Sequence, residues 1–497
     1  MTKLTHSTLS GFFWMSLGSG AQAILQLVVL MILARLLTPS DFGVVAVALV
    51  VLGFSIIFSQ LGVGPAIVQR KVLELEHLRM AFTLSLLFGL IITALVWLSA
   101  PEISGFFRIS ELTPVIRAMS FMFLLQSISV VSESLLQREL KFRILAAIDV
   151  ITFAVGFGGV GIMFALMNYG VWSLVAAYLA QALLKTLILL YKQPHPKLPI
   201  IHKQAFLELM NFGGGFTLAR IGNYLAGQGD NLVVGRYLSA EALGIYGRSY
   251  QLMSVPASLF GQIVDKVLFP AMAKVQQDPK RLEKAFRRGV ALIALMILPT
   301  SAVLYFLAPE LVYVMLGPDW DGVVLPFQIF SIGMLFRTSY KLSDSISRAT
   351  GAVYRRAWRQ AVYALLVIGG AYYGQRWGLA GVACGVLGAI TINFLLMAEL
   401  SLTLAKMKWR SFIAAHGAAV LLTTIITPEI WWIANLLREL QFSAVELLFL
   451  AILIILLSVL FLALLMPKLI LGKDGLWMIQ TLFDYFPGNK KYARQQT

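Results

Sequence analysis

The chain has 497 residues, of which 59% are hydrophobic and 13% charged, and its mean hydropathy is +0.82. Soluble domains carry about 45–50% apolar and about 25% charged residues, so a water-facing globular shell is excluded and lipid must be the solvent for most of the chain. The net charge of +16 does not point to nucleic acid, because the cations sit in short connections between apolar runs.

Those runs approach the roughly 20 residues that a helix needs to cross a bilayer core. They are too long and too uncharged for barrel strands, so helices must satisfy the backbone. The pattern predicts an all-α polytopic membrane protein with fourteen spans, near 12–37, 42–68, 80–100, 114–136, 144–168, 170–191, 206–235, 241–269, 289–307, 322–346, 358–376, 378–404, 411–435 and 443–466. The first run is too long for the apolar part of a signal peptide. Alternate connections are strongly basic, with Arg70, Lys71 and Arg79, then Arg138, Lys141 and Arg143, then Lys192, Lys197 and Lys203. Later ones hold Lys274 to Arg288, Arg348 to Arg359, and Lys406 to Arg410. By the positive-inside rule both termini are expected in the cytoplasm. The outer loops near 101–113 and 308–321 reach only about 14 residues, which leaves no room for an extramembrane domain. From Gly475 to Gly488 the tail sets Leu476, Trp477, Ile479, Leu482, Phe483 and Phe486 beside lysines, as an interfacial helix or a frayed end would.

The chain repeats itself. Arg35 to Gly43 (RLLTPSDFG) matches Arg236 to Gly244 (RYLSAEALG) at an offset of about 201. Pro65-Ala66 aligns with Pro270-Ala271, Ala81-Phe82 with Ala285-Phe286, Pro101-Glu102 with Pro309-Glu310, and Tyr169-Gly170 with Trp377-Gly378. The offset drifts to about 208, as small loop insertions require. Six spans separate the copies, so both have one orientation. The expected organisation is an N-terminal lobe over 1–200 and a C-terminal lobe over 201–408, each of six helices in parallel repeat. Two further helices follow over 409–470, then a cytoplasmic tail over 471–497. Transporters built on repeats put the substrate path at the repeat interface. The single cysteine, Cys384, excludes an intrachain disulfide framework and sits in a small-residue run (Gly381, Ala383, Gly385) that reads as close helix packing.

The stretch Gly229 to Tyr246, with Pro256 following, resembles the seventh and eighth spans of polysaccharide exporters, and Ala34 to Gly43 resembles their first hairpin. On these motifs the chain resembles the Wzx-type flippases of the multidrug/oligosaccharidyl-lipid/polysaccharide superfamily, nearest the colanic-acid-exporter-like branch. The resemblance implies a V-shaped pair of six-helix lobes around a central cavity. It implies flipping of undecaprenyl-diphosphate-linked oligosaccharides across the bacterial cytoplasmic (inner) membrane, for lipopolysaccharide or exopolysaccharide assembly. A polysaccharide polymerase and a chain-length regulator are candidate partners, and a proton or Na+ is the candidate coupling ion.

Ionisable groups inside a membrane are costly and usually face a cavity or a partner. Span seven carries Arg220, Asn223, Gly227, Asp230 and Asn231 on about one third of the helix circumference. This is either a polar cavity wall, with Arg220 attracting diphosphate and Asp230 as its balance or a cation site, or a salt bridge holding the lobes together. Span ten carries Arg337, Lys341, Asp344 and Arg348 on one face, as substrate contacts or as cations snorkelling to headgroups. In span four Glu133 is a candidate proton or cation site, with Asp149 and Lys185 as candidate partners in the first lobe; structural ion pairs are the alternative for each. Tyr250 leads a row of hydroxyls and amides on span eight that suits a sugar path or helix packing equally. Gly213, Gly214 and Gly215 form a candidate hinge or a close-packing patch. Glu133 is expected to face Arg220 and Asp230 across the seam of the lobes. The five histidines (His6, His77, His195, His202, His416) read as surface residues.

No G-x-x-x-x-G-K-[ST] loop is present, so ATP is not expected as the direct energy source. No His/Cys cluster calls for a metal, and neither a cofactor nor catalytic residues are expected. Three competing functions remain. A cation-coupled drug exporter of the same superfamily would favour an acidic cavity, whereas here the cavity candidates carry a basic excess. A membrane polymerase or glycosyltransferase would need a catalytic set in a sizeable loop. A scaffold without transport would gain nothing from buried charges.

Overall fold

The computed structural model describes residues 20, 22–60, 62–70, 72–196, 199–200, 202, 224–263 and 268–477. Every regular element among them is a helix. Contacts divide the chain into two units, one of Met1–Gly247 with Met315–Asp319 and one of Arg248–Val314 with Trp320–Thr497.

The first unit runs α1 (Gln22–Leu36), α2 (Pro39–Gln60), α3 (Val63–Gln69), α4 (Leu75–Leu98), α5 (Ala100–Phe107), α6 (Leu112–Arg138) and α7 (Phe142–Phe153). A π-helical turn over Ala154–Gly161 leads into α8 (Ile162–Leu166), then α9 (Val171–Lys192) and α10 (residues 224–237). It ends in the first turns of α11 (Ala240–Ile263). The hub is α6, which packs against α2, α3, α4, α5, α7 and α9. Val63, Ile67, Met80, Ala81, Leu84 and Val131 form one buried cluster of this unit. Glycine lets the π-helical turn lie close on α9, since a Cβ on Gly156 would stand 2.8 Å from the Gln181 Cβ. Arg138 closes the end of α3 by donating to the carbonyls of Ile67 (2.8 Å) and Arg70, which α3 leaves open at its C-terminus.

The second unit continues through α12 (Phe269–Lys274), α13 (Pro279–Phe306), α14 (Ala308–Met315), α15 (Val324–Ile332), α16 (Met334–Ala349) and α17 (Val353–Gly374). It closes with α18 (Gly378–Ala405), α19 (Trp409–Glu439), α20 (Ala444–Leu465) and α21 (Pro467–Ile470). Local chemistry sets the ends. Asp278 caps α13 by accepting from Lys280 N and Arg281 N at 3.1 Å, with Pro279 in the first turn. Ser443 and Glu446 form a capping box at α20. In the hairpin of α17 and α18, Gly370 lies on Gly385 and Gly374 on Gly381, where any Cβ would overlap the facing main chain. The contact in the small-residue run is thus made by Gly381 and Gly385, while Cys384 is exposed. Leu456, Leu457, Leu460 and Phe461 of α20 are each more than half exposed, which only lipid makes affordable.

Nine helices among the described residues are long and apolar enough to cross a membrane, or ten if Pro318–Ile332 and Met334–Ala349, bent by 48°, count as one span. The difference from fourteen has identifiable sources. The 52 residues of Tyr354–Ala405 count once, although the chain folds back at the 3-10 turn Gln375–Trp377. The polar α11 is not among the spans, and of 12–37 and 206–235 only parts are described.

The succession of elements recurs. The eight-residue helices α5 and α14 both open with Ala-Pro-Glu. Gly170 and Gly378 stand immediately before or at the start of α9 and α18, with φ of +53° and +67° and ψ of −129° and −157°, a region that is essentially glycine's alone. Within the first unit the α1–α2 and α10–α11 turns meet reciprocally. A Cβ on Gly43 would overlap the carbonyl of Ala240, and one on Gly244 would overlap that of Pro39. Ala240 is the repeat counterpart of Pro39, as Gly244 is of Gly43, so the contact is symmetric.

Candidate functional site

In the second unit the polar groups gather along α16. Arg337 donates to the Tyr363 hydroxyl of α17 at 3.4 Å, and its guanidinium lies over the Tyr250 ring of α11 at 5.7 Å. Tyr250 is itself held edge-on by Phe330 with ring centres 5.3 Å apart. Two residues expected to bind substrate, Arg337 and Tyr250, are thereby brought together. Two turns further on, Asp344 takes Arg348 at 3.0 Å and Arg356 of α17 as partners. Lys341 has no ion-pair partner among the described residues. The other face of the helix is buried through Thr338, Ser339, Ser343, Ser345 and Ser347; Thr338 donates to the Met334 carbonyl and Ser347 to that of Ser343, both at 2.8 Å. Small hydroxyl residues bury this face without charge and turn the cations to the opposite side. Arg356 and Tyr363 were not singled out in the sequence. The signal available was the dense run Arg355, Arg356 and Arg359 at the start of span eleven, which reads as a cytoplasmic flank.

In the first unit Lys185 of α9 stands between two carboxylates. Its Nζ lies 3.2 Å from Glu133 Oε1 of α6 and 3.0 Å from Asp149 Oδ1 of α7. Beside it is a cavity of about 360 Å³ walled by α6 and α9, with Gln126, Ser129, Tyr178, Gln181 and Thr186 among its lining. Lys185 Nζ donates to Glu133 Oε1.

Asp230 is 5% exposed and accepts from the fully buried Tyr246 hydroxyl at 2.7 Å and from Asn231 N at 2.9 Å. This joins α10 to α11. Asn231 Nδ2 donates to Gln228 Oε1 at 2.6 Å. Arg220, Asn223, Gly213, Gly214 and Gly215 lie outside the described residues, as does most of the expected tail helix. Arg236 lies over the Phe106 ring at 4.9 Å.

Two histidines correct the expectation of a surface position. His77 is 6% exposed because its Nδ1 accepts from Glu74 N at the start of α4, at 3.3 Å. His195 is 8% exposed because it packs on Phe82 with ring centres 5.2 Å apart.

Comparisons with known proteins agree with this architecture. Residues 32–325 match the family of polysaccharide biosynthesis proteins. The lipopolysaccharide biosynthesis protein WzxC of Escherichia coli (strain K12) is 25% identical over 405 residues, covering 79% of this chain and 80% of its own. The succinoglycan biosynthesis transport protein ExoT of Rhizobium meliloti (strain 1021) is 28% identical over 352 residues, covering 70% and 71%. Among solved structures, the lipid II flippase MurJ in an inward closed conformation aligns with a TM-score of 0.72 at 15% identity, covering 91% of this chain and 99% of that one.

Proposed function

The chain belongs to the family of polysaccharide biosynthesis proteins, and from that premise we propose that it is a flippase for polyprenyl-diphosphate-linked oligosaccharides. In this reading it carries undecaprenyl-diphosphate-linked units across the bacterial inner membrane by alternating access, with both termini in the cytoplasm. The proposed frame is the parallel repeat of two six-helix lobes, with two further helices over 409–470. WzxC is named for lipopolysaccharide biosynthesis, ExoT for succinoglycan transport and MurJ for flipping lipid II. The resemblance in sequence to the first two and in fold to the third supports the reading.

The observation that carries it is the cationic face of α16, where Arg337 is braced by Tyr250 and Tyr363 one turn from Lys341. A guanidinium held by aromatic rings is positioned for the planar, two-point recognition of a diphosphate, which an ammonium does not reproduce. The tyrosine hydroxyls beside it suit a sugar. Arg220, Asn223, Asp230 and Asn231 are proposed to contribute from the seventh span, and Gly213 to Gly215 to serve as its hinge. A polysaccharide polymerase and a chain-length regulator are the proposed partners downstream.

Deleting the gene tests the function. Lipid-linked oligosaccharide is expected to accumulate on the cytoplasmic face; altered drug tolerance without such accumulation would instead make the chain a small-molecule exporter. For the site, Arg337→Ala at unchanged protein level is expected to lower export about tenfold or more, the worth of one charge-assisted hydrogen bond. Arg337→Lys should restore little of it. Full export by Arg337→Ala would remove α16 from the path.

A further inference from the structure

The ion triad of the first unit has a charge that its own members do not balance. Glu133 and Asp149 bring two negative charges and Lys185 one positive charge. A single carboxylate would suffice to neutralise the lysine in a structural pair. The second leaves one uncompensated negative charge inside a membrane-spanning bundle, and that is costly. The three groups come from three different helices, α6, α7 and α9. Glu133 lies five residues inside the end of α6 at Arg138, and Lys185 seven inside the end of α9 at Lys192. At 1.5 Å per residue these are depths of about 8–11 Å. The cavity beside them is lined by amide and hydroxyl groups of Gln126, Ser129, Gln181 and Thr186, which can hold water. The side chains of Glu133, Asp149 and Lys185 are 32%, 41% and 29% exposed, so the site is reachable.

We propose that Glu133, Asp149 and Lys185 form a proton-exchange site and that the Lys185 ammonium excludes sodium from it. Uptake of one proton from water by a carboxylate oxygen makes the triad neutral, and return of that proton to water restores its single negative charge. A sodium ion entering between the carboxylates would compete with Nζ for Glu133 Oε1 and Asp149 Oδ1 and would meet like-charge repulsion from it. A proton needs neither room nor a coordination shell. Among the described residues, the titratable and charged groups facing Glu133 are Lys185 and Tyr178 from α9, with Asp149 reaching the same ammonium from α7. The cavity wall comes from α6 and α9 alone, so α2, α3, α4 and α5, which also pack on α6, add no lining residue to it. Use of the site to drive export rests on the flippase reading above; the site itself does not.

Dicyclohexylcarbodiimide, which modifies protonated carboxyl groups in apolar surroundings, tests the site in the full-length protein in native membranes, with the adduct mapped by mass spectrometry. Labelling is expected at Glu133 or Asp149, faster as pH falls, and equal in NaCl and choline chloride. Lys185→Ala is expected to gain at least tenfold protection by NaCl, while Lys185→Arg stays indifferent to it. Protection of the wild-type protein by NaCl would overturn the exclusion of sodium, as would a folded Lys185→Ala without such protection. Absence of adduct at both carboxylates at every pH where the protein stays folded would make the triad a plain structural ion pair. The wild-type arms decide alone if Lys185→Ala does not fold. No substrate is needed, so the result stands apart from the test of flippase function.

Discussion

Replacing Gly43 by alanine puts one methyl group where the α1–α2 turn touches the α10–α11 turn. The atom it would meet is the Ala240 carbonyl, and Gly244→Ala meets the Pro39 carbonyl in the same way. Both obstacles are main chain, so no side chain can swing aside and the two turns must separate. Overpacking of this kind costs about 1–3 kcal/mol, which is about 5- to 150-fold in the ratio of joined to separated turns. The readout is a cysteine in place of Leu243, which is 1% exposed beside Gly244, in a chain whose exposed Cys384 has been changed to alanine. Labelling of that cysteine by a water-soluble maleimide should accelerate by such a factor in Gly43→Ala and in Gly244→Ala. The double variant should cost less than the two singles added together, because one separation relieves both methyls. Gly247→Ala is the control, since it lies in the same helix with nothing within 4 Å of the new Cβ. There alanine should be neutral or should stabilise α11 by about 1 kcal/mol. An unchanged labelling rate in folded Gly43→Ala would refute the reasoning.

Two predictions concern ion pairs that hold the second unit. Arg438 makes two parallel bonds to Glu310, of 2.7 and 3.0 Å, and a third to the Phe306 carbonyl at 2.9 Å. Arg438→Ala strands a carboxylate that is 8% exposed. Breaking a fully buried pair costs about 3–5 kcal/mol, and the 38% exposure of the Arg438 side chain places this one near the lower end. Thermal unfolding in detergent should show a larger loss for Arg438→Ala than for Glu310→Gln, which leaves its unpaired charge on the more exposed Arg438 side chain, and the reverse order would refute this. Asp474 holds the start of the tail through two 2.8 Å bonds to Arg287, while Arg288 lies 3.6 Å over the Trp477 ring. Asp474→Asn should speed tryptic cleavage after Lys473 about tenfold, as a loss of about 1.4 kcal/mol gives; an unchanged rate would mean that packing alone holds this segment.

Features of short range were legible before the structure. Apolar run length gave the bilayer and the helices. The Arg-to-Gly hairpins, Ala-Pro-Glu and Tyr/Trp-Gly gave the recurrence, because each marks a turn or helix start whose geometry depends on nearby residues. Partners from distant helices were mostly not legible. Glu310 and Arg438 are 128 positions apart and Arg287 and Asp474 are 187 apart, and no periodicity links them. Arg356 and Arg359 looked like cytoplasmic flanks, yet Arg359 is 5% exposed and paired with Glu399. Hydropathy also understates helices such as α11, where Tyr246, Ser249 and Tyr250 find partners inside the protein and so carry none of the lipid cost their polarity implies. Within the first unit, the proximity of Asp149 and Lys185 to Glu133 followed from their facing charges on neighbouring spans. That one lysine would serve both acids did not.

The triad and the α16 face differ in charge. In the triad two acids, Glu133 and Asp149, share Lys185; along α16 the cations Arg337, Lys341, Arg348 and Arg356 accompany Asp344. A duplicated backbone with opposite local charge cannot bind one ion twice. In the proposed cycle the basic face takes the anionic headgroup and the acidic triad takes the proton. The directions are then energetically consistent. An outbound diphosphate and an inbound proton both move down a potential that is negative inside, each elementary charge contributing about 2.3 kcal/mol per 100 mV. Exchange of the two is therefore driven by the membrane potential as well as by the proton gradient, whereas co-export of a cation would forfeit that term. The opposite charges of the triad and of the α16 face are what such an exchange requires.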